Sequence, residues 1–145
     1  MIEHIHHGDT LLALIVPHAF QEPGIHFVTP PRLSQQLAYM SHPSGKVIDA
    51  HYHNPVSREV HYSQEVLFIR KGRLRVDFYG EDCHYLESRI LEAGDTILLV
   101  TGGHGFEVLD EVEMIEVKQG PYVGEGDKTR FASVNTEDLR LPKPK

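Results

Sequence analysis

EVLFIRKGRLRVDFY, residues 65–79, is the stretch that decides the fold class. Its second half alternates cleanly. Leu74, Val76 and Phe78 share one face of an extended chain, and Arg73, Arg75, Asp77 and Tyr79 share the other. Its first half, residues 65–70, is a short apolar run. Lys71-Gly72 between them reads as a tight hairpin, because glycine tolerates positive φ.

Outward from this stretch the same texture continues. Short apolar or alternating runs stand at 11–16, 25–29, 35–41, 46–53, 84–91, 96–100, 105–109 and 112–118, bounded by glycine, proline and acidic turns. No window of a dozen residues carries a helical stripe, and there is no internal repeat or interdomain linker. The pattern predicts an all-β sandwich or barrel built as a single domain over 1–145. An antiparallel set of this size hides its edges in a double-sheet jelly roll or a closed barrel. The mouth or interior of such a barrel is a natural small-molecule site. The polar, proline-containing tail, 139–145, is expected to be flexible or to lie as an arm on the surface.

Composition narrows the class. The chain has 145 residues, 40% hydrophobic and 24% charged, ordinary for a globular domain. No apolar run approaches the roughly 18 residues of a membrane span, and the N-terminus lacks a basic-then-apolar leader. One cysteine, Cys83, forms no internal disulfide; its acidic neighbours disfavour a thiolate. These features predict a cytoplasmic protein. A net charge of −7 and the lack of a basic stripe argue against nucleic acid as a partner.

Eleven histidines remain to be explained. His51 and His53, two apart in a predicted strand, point the same way. Glu65 leads a face shared with Leu67 and Ile69, where a carboxylate is costly unless paired or metal-bound. His104 sits in TGGHGF, where glycines let the chain turn sharply. Imidazoles plus one carboxylate suit a divalent transition metal: Fe, Mn, Zn, Ni or Co. His4, His6 and His7 read as an exposed strand or arm. Arg75 and Glu107 read as ion-pair partners.

The spacing of these residues resembles the cupins. Gly45, five residues, His51-Tyr52-His53, then Glu65, six residues and Gly72 follow the family's first motif, except that eleven residues separate His53 from Glu65. Gly94, Val100, Gly102, His104 and Val108 follow a degraded second motif, with one deletion and two substitutions. The resemblance covers about residues 45–108. It implies a cupin-type double-stranded β-helix with one divalent metal per chain on His51, His53, Glu65 and His104. By the same analogy it implies a homodimer. The insertion at 54–64 offers rival ligands, since His61 and Glu59 fit a second register of the first motif. Otherwise His61 and Glu59 are candidates to move protons at the pocket.

The expected function is a mononuclear metalloenzyme acting on a small polar substrate, sugar-like or bearing a carbonyl or carboxylate, by isomerisation, epimerisation or dioxygenation. The alternatives are a non-catalytic module that binds a metal and a small ligand, and a metal-free cupin whose histidines act as acid–base groups.

Overall fold

The computed structural model describes residues 1–143. The chain is all-β, with eight strands: β1 (Glu3–His7), β2 (Thr10–Val16), β3 (Gly24–Phe27), β4 (Ala38–Ser41), β5 (Glu65–Tyr79), β6 (Tyr85–Glu92), β7 (Thr96–Leu99) and β8 (Gly103–Lys118). Two short 3-10 turns follow, Gly124–Asp127 and Thr136–Asp138. The main sheet runs β1-β2-β7-β5-β6, with β8 on the other side of β5. β3 and β4 form a separate ribbon.

The expected hairpin at Lys71-Gly72 is corrected. β5 runs through it without a break, and both halves pair with β8: 65–71 against 113–118, and 73–79 against 103–110. Two adjacent runs can be joined by glycine without pairing with each other when a third strand spans both. The register slips three times between Ile69 and Leu74, so bulges replace the turn. Gly72 has φ +84°, and a Cβ there would run into the carbonyl oxygen of Glu111. The slip switches parity. Leu67 and Ile69 face inward before it; Leu74, Val76 and Phe78 face inward after it, and all five are almost fully buried.

At this slip the β5–β8 ribbon folds over on itself. Straight, the 13 steps from Glu65 to Phe78 would span roughly 40 Å. Instead Glu65 meets His104, the β8 partner of Phe78, at 3.2 Å. Arg89 of β6 likewise reaches Glu3 of β1 at 2.8 Å. The sheet thus curls into a half-barrel compatible with a jelly roll. Its larger layer is β1, β2, β7, the first half of β5 and the second half of β8. The smaller layer has three members: β6, the second half of β5 and the first half of β8. The core between them joins Ile5, Leu12, Ile15, Leu67, Leu74, Val76, Phe78, Leu91 and Ile97. Outside the larger layer, Leu14, Leu98 and Val66 form one row that residues 28–37 cover.

The expected strand at 46–53 is also corrected. From residue 42 to Gln64 there is no strand, and residues 43–63 are exposed throughout. A strand needs a neighbour for its N–H and C=O groups, and none of the eight strands pairs with this segment. Residues 105–109 and 112–118, read as two strands, belong to one, β8. His4, His6 and His7 do lie on a strand, β1. The tail is described as far as residue 143; Pro144 and Lys145 lie outside the described residues.

Candidate functional site

Gln64 anchors the start of β5. Its N–H donates to Gln119 Oε1 (3.0 Å), its carbonyl accepts the Gln119 N–H (3.3 Å), and its Oε1 accepts the Gln35 N–H (3.1 Å). This clamp fixes Glu65, whose side chain is 13% exposed. His104 is set by the turn before it. Gly102 has φ +76°, and a Cβ there would come within 2.6 Å of the Tyr79 carbonyl oxygen. Glycine is required at that position to let β8 start so close to the end of β5.

His104 Nε2 lies 3.2 Å from Glu65 Oε1. The hydrogen bond to His104 holds the Glu65 carboxyl below its usual range, against the opposing effect of burial. Glu116, two positions before Lys118 on the same concave face, is pushed up, first by burial and then by the charge of Glu65. Phe106 stands beside His104, ring centroids 5.3 Å apart. Phe106, Val108 and Met114 extend this face along β8 and remain 40%, 54% and 39% exposed, because nothing pairs with the free edge of β8.

His51 and His53 sit elsewhere in character: both are exposed, on the unpaired segment. Their rings are nonetheless neighbours, with centroids 5.5 Å apart. His51 Nδ1 lies 2.7 Å from the Asp49 carbonyl oxygen. A carbonyl oxygen can only accept, so in the neutral ring the proton is on Nδ1 and Nε2 carries the free lone pair. Histidine ligands of metals are oriented by this kind of bond. His61 pairs with Glu59 at 3.7 Å in open solvent. His61 also lines a cleft of about 280 Å³ with Tyr62, Ser63, Lys118, Tyr122 and Asp127. Of the residues read from sequence, then, Glu65 and His104 come together, His51 and His53 form a second pair, and Glu59 and His61 a third. Among the described residues no three His, Cys, Asp or Glu side chains are grouped to hold a metal ion. Of the four expected ligands the structure brings Glu65 and His104 into contact.

Sequence reasoning missed Glu116. Its signal was present: Glu116 and Lys118 are charges on alternate positions of VEMIEVK, which also carries Glu113. It also missed a polar chain on the outer face of the smaller layer. Arg75 Nε donates to Asp77 Oδ1 (2.8 Å), and Arg75 also binds Glu107, the ion pair expected from sequence. Ser88 Oγ donates to Asp77 (2.6 Å), Tyr85 Oη bonds Ser88 Oγ (2.7 Å), and the Arg140 N–H donates to Tyr85 Oη (2.8 Å). Apart from the Arg75 bond to Glu107, the donors along it point toward Asp77.

Compared with known proteins, the chain matches no family model, no curated protein and no solved structure. Among the described residues no helix is long and apolar enough to cross a membrane.

Proposed function

We propose that this chain is a cupin-type protein that binds one divalent transition metal. In this reading it is a metalloenzyme for a small polar substrate, sugar-like or bearing a carbonyl or carboxylate, acting by isomerisation, epimerisation or dioxygenation. One observation carries the reading: Glu65 and His104, 39 positions apart in sequence, meet on the concave face of a folded β-ribbon. A carboxylate and an imidazole so placed offer two donors to a divalent cation. The apolar rim of Phe106, Val108 and Met114 would exclude water from a bound substrate.

The same contact favours a second reading. A carboxylate bonded to an imidazole is a proton-handling pair, and a metal-free cupin would use it as such. In that reading Glu65 orients the His104 ring.

Elemental analysis separates the two. The metal reading expects close to one Mn, Fe, Co, Ni or Zn per chain after purification or after loading, lost in Glu65→Gln. Protein that takes up none of these metals leaves only the acid–base reading.

A further inference from the structure

The end of β8 and the end of the exposed 42–63 segment enclose a cleft that neither reading above uses. Beyond Lys118, Gln119 bonds back to Gln64 through both its backbone and its side chain. The 3-10 turn Gly124–Asp127 then returns the chain, and Ser63 Oγ donates to Asp127 Oδ1 (3.0 Å). These two fastenings hold residues 60–63 against residues 118–127, with a space of about 280 Å³ between them. That is just below the range of about 300–1,000 Å³ for small-molecule pockets, so there is room for one ring and not for a chain of them. The lining combines two kinds of group. Tyr62 and Tyr122 are 61% and 82% exposed, leaving ring surface in water. Lys118, Gln119 and Asp127 supply hydrogen-bonding atoms.

Each of these polar groups has capacity left. Lys118 Nζ is 3.9 Å from Glu116 Oε1, too far for a hydrogen bond. Gln119 gives its Oε1 to the Gln64 N–H and keeps its amide N–H groups. Asp127 gives Oδ1 to Ser63 and keeps Oδ2. His61, also on the wall, already faces Glu59 at 3.7 Å. With Lys118 and Asp127 both present, an anionic ligand meets a carboxylate and a cationic one meets an ammonium group. A neutral ligand with hydroxyls, which both donate and accept, satisfies all three groups. The negative face of a tyrosine ring attracts the partly positive C–H edges of a saturated ring. We infer, resting on the small-polar-substrate reading above, that this cleft holds one uncharged sugar ring, packed against the Tyr62 and Tyr122 rings and hydrogen-bonded by Lys118, Gln119 and Asp127. Lys118 lies opposite Glu65 in the β5–β8 register, so the ring is held beside the Glu65–His104 contact. The sugar-like class is thereby chosen over the carbonyl and carboxylate ones.

The test titrates glucose, galactose and mannose, one at a time, into the metal-free, isotope-labelled full chain and follows the amide resonances of Gln119, Gly120 and Val123. At least one hexose is expected to move them saturably in the millimolar range. Tyr122→Ala should weaken that binding about three- to tenfold, the worth of one ring contact. Tyr52→Ala removes a ring that is just as exposed (85%) but lies outside the cleft, and it should leave the binding unchanged. Benzoate and benzylamine, rings with one charge, should move these amides less than the hexose at equal concentration. The cleft proposal is overturned if no hexose moves the amides, if Tyr122→Ala binds as wild type does, if Tyr52→Ala weakens binding as much, or if a charged ring binds better than every hexose. Metal uptake is measured separately. A cleft that fails therefore leaves the metal and acid–base readings standing, and protein that takes up no metal leaves the cleft standing.

Discussion

Two segments of this protein look alike in composition and behave oppositely. Residues 131–140 and residues 42–63 are both polar stretches with scattered apolar side chains. The first lies docked along the smaller layer. Phe131 packs edge-on to Tyr79 at 4.9 Å, the Val134 N–H donates to Tyr79 Oη, Arg140 bonds Ser88 and Tyr85 through its backbone, and its guanidinium stands 5.9 Å from the Tyr85 ring. The second, an exposed arm, is held near its end, where Gln64 is clamped and Ser63 Oγ donates to Asp127 Oδ1 (3.0 Å), while residues 43–62 stay exposed. The difference teaches that docking here follows the partner surface and not the segment's own polarity. The strap finds tyrosine hydroxyls and a satisfied polar chain, whereas residues 43–62 lie against no strand of the sheet among the described residues.

That contrast can be broken from the strap's side first. Asp77 is the acceptor at the end of the polar chain and is 2% exposed. Asp77→Ala leaves Arg75 buried with only Glu107, and it should cost about 3–5 kcal/mol in denaturant unfolding. A loss below about 1 kcal/mol would mean that the chain of bonds under the strap is not what holds it. At the fold of the ribbon, Gly72→Ala should cost more than about 1 kcal/mol, because the site has φ +84° and faces the Glu111 carbonyl. If urea titration shows no loss, the ribbon does not bend at this bulge. Tyr85→Phe, which removes one hydroxyl from between Ser88 and Arg140, should cost about 1 kcal/mol and speed amide exchange at Ser88, whose N–H is held by Arg140. On the arm the expected effect is smallest. His51→Ala/His53→Ala should change metal-free stability by less than about 0.5 kcal/mol, since neither ring is packed in its own chain. A larger loss without metal would show that the arm is docked after all, and the contrast would fail.

Much of the fold was legible in order along the chain. The alternation of Leu74, Val76 and Phe78 against Arg75, Asp77 and Tyr79 reads directly as one strand with two faces, and the structure buries both. Glycine at 102 reads as a sharp turn before His104, as found. Less legible was Gly72. Positive φ suits a hairpin turn and a bulge equally, and only the partner strand decides between them. The segment 46–53 misled for a related reason: its pattern is that of a strand, but a pattern supplies no neighbour. Of the site, Glu65 and His104 could be named as inward-facing, while Glu116 was passed over because a lone charge on a strand usually faces water.

By itself the sequence determined which residues are extended, which faces are apolar and where the backbone turns, since these depend on side chains two to four positions apart. Only the tertiary structure decided that β5 and β8 fold together as one bent ribbon, that Glu65 meets His104, and that His51 and His53 stand on an unpaired arm. Those outcomes depend on hydrogen-bond partners dozens of residues away, and a sheet is defined by such partners rather than by any strand alone.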